Sequence, residues 1–427
     1  MRRYRPNSES NREEGLIIIL VAVFLLFVVG AMAALSIDVV TFYTARSEAQ
    51  LAADAIALAG ARVLANSGMT SSTDPTLTSN AVLLATNMAN EVAQQNLVGG
   101  SAPTVTVSVS TAIQGNPHVT VHVSRNDLPT FFARIWGSKT VTVGASATAE
   151  AYNPSGLSSS SNPASPVAPS CVKPWLLPNI DPNNSPNPIF GTASGSIQDS
   201  ALLGWDSPPA TRLHALCAAT PALCPPATPQ AWQYYQGAES SFPHPTKALP
   251  ACTLTSNFQM SIAGCVQTPI ACGSFVNINT AQDLSLDPDT ASAVDCLANL
   301  SNDEGDRINP ALLPPSPFEF RAGDDNPLVQ AGVLASRARV MVSDSLVTVP
   351  VFDNSTWGST PPASVQVIGF VQLFLQPNGF HVPTSGANPN QISTKVMNMV
   401  GCGTNSSGTP VYGNGASAVP VRLITPP

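Results

Sequence analysis

The chain has 427 residues, of which 10% are charged and 40 are proline, and its formal net charge is −8. Average soluble domains carry about 25% charged residues, so this composition favours a loop-rich protein outside the cytoplasm over a cytosolic enzyme. Beyond Gly15 lie 14 of the 18 Lys and Arg and 23 of the 26 Asp and Glu. That acidic balance argues against nucleic-acid binding, which needs a basic face.

The first predicted element is a transmembrane helix from Leu16 to Ile37, where 22 consecutive residues carry no charge. At 1.5 Å rise per residue this run crosses a hydrocarbon core of about 30 Å. Four arginines precede it, whereas Asp38 opens its other flank. The positive-inside rule therefore predicts a cytoplasmic tail over residues 1–15 and places everything after Asp38 outside.

A cleaved signal peptide is the alternative, because Ala31-Met32-Ala33 satisfies an A-x-A cleavage pattern. The apolar run is longer than the usual hydrophobic region of a signal peptide, and no proline or polar break follows the cleavage pattern. A retained anchor is the preferred interpretation, and cleavage stays open.

Past Asp38 the helix is predicted to continue over residues 38–65, since this stretch is rich in alanine and has no proline. Apolar Leu51, Ala55, Leu58 and Ala59 recur at helical spacing. Two interpretations stay open: the stripe covers the protein's own sheet, or it packs on helices of partner subunits.

Residues 81–97 predict a second helix that ends at Gly99-Gly100. Alternating valines at 105–109 and 119–123, separated by a Gly-Asn-Pro turn, predict a β-hairpin. A short helix over FFARIWG and a last alternating run, TVTVGASATAEA, complete the order. The fold class predicted for 38–150 is therefore a small α+β domain behind a long membrane-anchored helix.

The apolar span ending in AALSIDVVTFYTARSEAQLAADAIALAGA, followed by the hairpin, PTFFARIWG and VTVGASATAEA, resembles the TadG-like family of Flp pilus (tight adherence) assembly proteins, which is related to the TadE pseudopilins. The resemblance covers residues 12–150. Its most diagnostic positions are Asp38, Tyr43, Arg46, Gln50, Ala52, Ala53, Asp54, Ala57, Leu58, Ala59 and Gly60.

The resemblance implies a non-enzymatic component of the bacterial inner membrane, with most of the chain periplasmic or at the surface and with other pilus-assembly or pseudopilin subunits as partners. The residues expected to make helix-packing and assembly contacts are Asp38, Tyr43, Arg46, Leu51, Ala55, Leu58 and Ala59. Two family features are missing. Leu20 stands where pilin-like precursors carry glutamate, and Asp344-Ser345-Leu346 departs from the metal motif of von Willebrand factor A domains.

Residues 151–170 are rich in Ser, Pro and Asn and predict a flexible linker. Behind it, residues 171–427 predict a Pro-rich, β-rich extracytoplasmic region braced by disulfides. The disulfide candidates are Cys171, Cys217, Cys224, Cys252, Cys265, Cys272, Cys296 and Cys402. Eight cysteines allow about 105 pairings, which sequence cannot distinguish, and their spacing is too wide for the usual zinc knuckle.

Neither a catalytic nor a cofactor-binding motif is found. His118 and His122 share one face of a predicted strand but have no third ligand nearby, so a solvent-facing pair is preferred over a metal site. The run Asn302 to Asp306 gathers oxygen ligands without the spacing of an EF-hand, which favours a solvated turn over calcium binding. We therefore predict no enzyme activity, metal or cofactor; a surface-binding or adhesion protein, or an extracytoplasmic hydrolase, are the alternatives.

Overall fold

A computed structural model describes the residues 11–113, 115–137, 140–156, 167–181, 187–204, 252–277, 288–309, 316–355, 362–386, 392–402, 409–411 and 415–424. The described residues form five α-helices: α1 Asn11–Asn66, α2 Pro75–Gln95, α3 Asn257–Ala263, α4 Pro288–Leu297 and α5 Pro327–Gln330. They also form the strands β1 Thr104–Ser110, β2 His118–Pro129, β3 Thr140–Ala151, β4 Val167–Pro169, β5 Leu177–Pro178, β6 Phe275–Asn277, β7 Arg307–Ile308, β8 Phe320–Arg321, β9 Arg339–Val340, β10 Leu346–Phe352, β11 Ser364–Leu375, β12 Thr394–Gly401, β13 Thr409–Val411 and β14 Val421–Ile424.

The chain divides into two compact units. The first unit comprises Met1–Ile56, Asn90–Val107 and Val121–Ala147, and the second comprises Ala57–Ala89, Ser108–Thr120 and Thr148–Pro427. The mixed α+β class predicted from the sequence is confirmed, as is one long apolar helix at the N-terminal end.

Helix α1 continues without a break from the apolar run to Asn66. Helix α2 begins at Pro75, six residues before the predicted start, because the Asp74 carboxylate caps it and accepts a hydrogen bond from the Thr76 amide at 2.7 Å. Gly99 and Gly100 follow the helix with φ of +56° and +80°. Those left-handed conformations favour glycine and turn the chain toward β1.

One sheet has the strand order β1-β2-β3-β14. Its first three strands are those predicted from the alternating pattern, with a 3-10 turn over Ala133–Trp136 between β2 and β3. The fourth strand comes from the far end of the chain: Val421 pairs with Ala151 and Ile424 with Thr148, antiparallel. The last predicted strand of the C-terminal region thus joins the predicted N-terminal sheet.

A second sheet, in the order β12-β11-β10-β5, forms the core of the second unit. Strands β10 and β12 are buried along their whole length. Both faces of these strands are therefore covered. Their β-branched and aromatic residues are suited to such a position.

Two glycines on neighbouring strands of this sheet make room for an aromatic ring. Gly369 on β11 pairs with Gly401 on β12, and a Cβ on either would lie about 2.5 Å from the ring of Phe190. Real Cβ atoms do not approach this closely. The ring therefore lies against bare backbone, and a larger residue at either glycine would displace it.

The stretch assigned to a linker by its composition contains ordered structure at its C-terminal end. Val167–Pro169 forms β4, which pairs in parallel with β13, and residues 167–170 are buried. At its N-terminal end Asn153 is completely buried. The Asn153 side-chain amide donates to the main-chain oxygens of Thr70 at 3.1 Å and Met399 at 2.9 Å.

The end of α1 is held by a buried amide and hydroxyl network within the second unit. Asn398 on β12 donates to the Ala65 oxygen at 2.7 Å and to the Thr70 hydroxyl at 2.9 Å, and it accepts from the Ser71 hydroxyl. Asn66 donates to the Met341 oxygen at 2.9 Å. These bonds satisfy backbone groups at a helix end that would otherwise be buried without partners.

Candidate functional site

The apolar run of α1 is not covered by any other part of the protein that the structure describes. Its most apolar 18-residue window has a mean hydropathy of 3.2, and none of that window is buried against the rest of the protein. The core helix of a soluble protein would be covered by its own fold, since exposing this much apolar surface to water is strongly unfavourable. The helix is long and apolar enough to cross a membrane.

Asp38, the first residue beyond the apolar run, holds a distant loop against the helix. Its carboxylate accepts three backbone hydrogen bonds, from the amides of Phe131 at 3.0 Å, Phe132 at 2.9 Å and Ala133 at 2.7 Å. Burial raises the pKa of Asp38, but the three amide donors outweigh it, and the pKa lies below the ordinary value of 3.8. We name this arrangement the Asp38 clamp.

The Asp38 clamp also determines where an aromatic side chain is presented. Phe131, whose backbone amide is bound by Asp38, keeps its ring 65% exposed. The loop therefore places an exposed ring at the level of α1 where the apolar run ends.

Beyond Asp38, α1 has an exposed face opposite a buried one. Val40, Tyr43, Ser47 and Leu51 lie three or four positions apart and are all exposed, with Tyr43 78% and Leu51 66% accessible. We call these four residues the exposed face. The opposite side is buried within the fold and consists of small or branched residues: Ala45, Ala49, Ala52, Ala53 and Ile56.

The residues expected to make assembly contacts are distributed over both sides. Tyr43, Arg46 and Leu51 are exposed, Ala55 and Leu58 are half-buried, and Asp38 and Ala59 are buried. Asp38 is engaged by the chain's own loop, so its role in the structure is intramolecular. Along the predicted stripe, burial therefore increases from Leu51 to Ala59, and packing on helices of partner subunits stays a prediction.

Two further polar contacts join α1 to other segments of the first unit. The Glu48 carboxylate accepts from the Gly99 amide at 2.7 Å, and the Gln50 amide group donates to the Ser146 oxygen at 3.3 Å. Within α1, the Gln50 amide group also donates to the Asp54 carboxylate at 2.8 Å. These contacts set the rotation of the helix, and hence the direction of the exposed face.

Six cysteines lie in three pairs within disulfide range. The pairs are Cys171 with Cys265, Cys252 with Cys296, and Cys272 with Cys402, with Cα–Cα distances of 4.4, 5.9 and 6.0 Å. They close chain separations of 94, 44 and 130 residues, respectively. Cys217 and Cys224 lie outside the described residues. The pairing joins distant segments of the second unit.

The oxygen-rich run from Asn302 to Asp306 is held by hydrogen bonds from other segments of the second unit. The Asp306 carboxylate accepts from the Gly323 amide at 3.0 Å, the Asn326 amide group at 2.9 Å and the Ser343 hydroxyl at 2.6 Å. In the part of the chain that the structure describes, no group of three or more His, Cys, Asp or Glu could hold a metal ion. His118 lies 3.5 Å from Glu150, while His122 is exposed.

The strongest acid–base pair is His381 with Asp295, whose Nδ1 and carboxylate oxygen are 2.9 Å apart. Burial lowers the pKa of His381, but the Asp295 carboxylate outweighs it and raises the pKa above 6.5. The other ring nitrogen lies 3.9 Å from the Asp303 carboxylate. Both nitrogens face carboxylates, whereas a hydrolase base needs one of them beside a nucleophile.

Comparison with known proteins found no matching family model, curated protein or solved structure. Sequence reasoning identified Asp38 as a flank of the span but missed its partner loop, because Asp38 and Phe131 are 93 positions apart and no pattern in the sequence links them.

Proposed function

We propose that the protein is a non-enzymatic, single-pass membrane component of a pilus-assembly or secretion machinery of the tight-adherence type. The observation that carries this proposal is the exposed face, which continues directly from the bare apolar run. The resemblance of residues 12–150 to TadG-like proteins points the same way. In this proposal the anchor lies in the bacterial inner membrane, with the N-terminus in the cytoplasm.

Outside the membrane, exposed apolar side chains of neighbouring helices pack together because this removes apolar surface from water. Tyr43 and Leu51 on the exposed face are available for such packing just outside the apolar run. Neighbouring subunits of an assembly would have their own helices at the same level. The Asp38 clamp and the contact of Glu48 fix the rotation of α1, and hence the direction in which the exposed face points. A rigid helix with one open side is suited to an assembly subunit.

The test is photo-crosslinking in the intact producing cell, with a photoreactive phenylalanine analogue at Leu51. The matched control carries it at Gln95, which is also exposed and lies in the same unit. We expect crosslinks from Leu51, identified by mass spectrometry, to another membrane-anchored pilus or secretion subunit, and none from Gln95. Crosslinks to lipid alone, to unrelated proteins, or equally from both sites would refute the proposal.

The topology is tested separately by protease treatment of spheroplasts. We expect digestion of the region beyond Asp38 and protection of a fragment that contains residues 1–37, because the span shields it. Protection of the whole chain, or a mature N-terminus beyond Ala33, would contradict a retained anchor in this orientation.

A further inference from the structure

A cavity of about 450 Å³ in the second unit is lined by three arginines on separate segments. Arg307 lies on β7, Arg321 lies on β8, and Arg337 precedes β9 in a turn with φ of +64°. The loop after β11 contributes Pro377, Asn378 and Phe380 to the lining. None of the described lining residues is acidic, although the whole chain carries a net charge of −8.

The strand register brings arginines directly opposite one another. Arg307 pairs with Arg321, and Arg321 pairs in turn with Arg339 on β9. Like charges at directly opposed positions of a sheet are destabilising, because their side chains lie about 5 Å apart on one face. The stability of the fold alone therefore does not explain this row of three arginines, Arg307, Arg321 and Arg339.

One buried carboxylate compensates part of the charge. Glu319 forms ion pairs with both Arg321 and Arg339, so a single negative charge serves two guanidinium groups. Arg307 donates to the Asp303 main-chain oxygen at 3.2 Å and stacks 5.4 Å over the ring of Phe380. Glu319 thus supplies one negative charge for Arg321 and Arg339, whereas the contacts of Arg307 with the Asp303 oxygen and the Phe380 ring supply none.

Two other carboxylates, Glu304 and Asp324, lie near the arginines. They share a hydrogen bond, which raises the pKa of the Glu304 carboxyl, while the Ser336 hydroxyl and then Glu304 lower the pKa of Asp324. The charge of Arg307 also acts on both carboxylates, and that of Arg337 acts on Asp324. Neither of them lines the cavity. An anion that enters the cavity would meet guanidinium groups first.

We propose that this cavity binds an acidic sugar, namely a uronic-acid unit of an anionic polysaccharide. Arginine presents a planar fork that matches a carboxylate. Phe380, 53% exposed, and Pro377 offer apolar surface for the C–H face of a sugar ring, and Asn378 offers an amide for its hydroxyls. The volume falls within the range of small-ligand sites, and bare phosphate would leave the apolar part unused. This proposal does not rest on the proposed assembly function.

The experiment is titration calorimetry of the full-length protein in nanodiscs with digalacturonate at low salt. The comparison probes are the neutral disaccharide of galactose and inorganic phosphate. We expect saturable binding of digalacturonate, at least about tenfold weaker binding of the neutral sugar and phosphate, and weakening by salt. No saturable binding of digalacturonate, or equal binding of the neutral sugar, would overturn the proposal.

Single substitutions test whether digalacturonate binds in this cavity. Arg337→Gln, at an exposed turn, and Phe380→Ala should each weaken digalacturonate binding about tenfold while the melting temperature stays unchanged. Arg134→Gln removes an exposed arginine that does not line the cavity and serves as the matched control. If Arg134→Gln weakens binding as much as Arg337→Gln, the attraction is general charge and the proposal fails. If phosphate binds as tightly as digalacturonate and Phe380→Ala has no effect, the cavity is a simple anion site instead.

Discussion

The part of α1 beyond the apolar run is held at two places by different chemistry. In the first unit, one charged group, the Asp38 carboxylate, collects three amides of a loop. In the second unit, neutral amide and hydroxyl groups around Asn398 bind the helix end to a fully buried strand. A single charge can position a loop next to a membrane, whereas a neutral network adds no charge to a sheet core, where unpaired charge is most costly.

The comparison extends to covalent links. The three described cysteine pairs all lie in the second unit. The described polar contacts of the first unit are noncovalent, namely hydrogen bonds such as those of Asp38 and the ion pair between Arg125 and Asp127. We therefore expect the two units to respond separately to reduction, core mutation, acid and base.

The largest effect is expected from the double variant Cys272→Ser/Cys402→Ser. This pair closes a separation of 130 residues, and the chain-entropy estimate for such a loop is about 5 kcal/mol of unfolding free energy. Denaturant unfolding followed by hydrogen exchange should show this loss in the second unit, with the amides of residues 38–56 unaffected. Equal loosening of both units would contradict their separation.

Asn398→Ala should lower the unfolding free energy of the second unit by about 2–3 kcal/mol, because it leaves the buried Ala65 oxygen and Ser71 hydroxyl without this partner. Thermal unfolding of the reconstituted protein measures the change. Asn87→Ala, at an exposed position on α2, is the matched control and should be neutral or slightly stabilising. A similar loss in both variants would mean that the network contributes little.

Asp38→Asn should release the loop without unfolding the protein. The amide side chain keeps one oxygen acceptor but loses the charge that strengthens the three hydrogen bonds. Hydrogen exchange at residues 131–133 should accelerate by about tenfold, while the melting temperature of the second unit stays unchanged. Asp54→Asn, on the same helix, is the control and should leave those three amides protected. If Asp54→Asn also accelerates their exchange, the loss of one negative charge on α1 explains the effect, and the Asp38 hydrogen bonds do not.

Acid should reproduce this result in the unaltered protein. Because the pKa of Asp38 in the folded protein is depressed below 3.8, its contribution is complete above that pH and is lost as the pH falls through the depressed value. The Asn398 network carries no titrating group and should persist. The measured quantity is the protection factor, which corrects for the intrinsic pH dependence of amide exchange. Protection factors at residues 131–133 that stay constant from pH 5 to below the titration would contradict the clamp.

The smallest effect is expected at His381. Its pKa in the folded protein is raised above 6.5, whereas burial raises the pKa of its partner Asp295 above 3.8. The ion pair therefore stabilises the fold where Asp295 is ionised and His381 is protonated, and it is lost as the pH rises through the raised pKa of His381. The pair is partly exposed, which limits its contribution to about 0.5 kcal/mol. His381→Gln should remove this loss from the stability profile between pH 6 and 9. An unchanged profile would show that another group titrates.

Local pattern was enough to predict several elements. The apolar run, the continuation of α1, the hairpin strands and the β-rich character of the C-terminal region all appear in the structure. These features depend on residues close in sequence, where periodicity and composition report directly on structure. Boundaries were less accurate, as at Pro75, where the capping contact of Asp74 extends α2.

Long-range pairing was not predictable in the same way. Nothing in Val421–Ile424 indicates that it pairs with β3, and the composition of residues 167–170 suggests a linker although they are buried. The arginine row also depends on register, because Arg307, Arg321 and Arg339 are far apart in sequence. Register and sheet order are decided by which surfaces fit together, and single-strand patterns do not encode a unique partner.

The sequence by itself determined the bare apolar run and the helix that continues from it, because length, lack of charge and helix propensity act locally along the chain. Only the tertiary structure decided which side of that helix stays open and which loop Asp38 holds. The physical reason is that a side chain's exposure depends on what packs against it, and in this protein the packing partners come from the far end of the chain as well as from its neighbours.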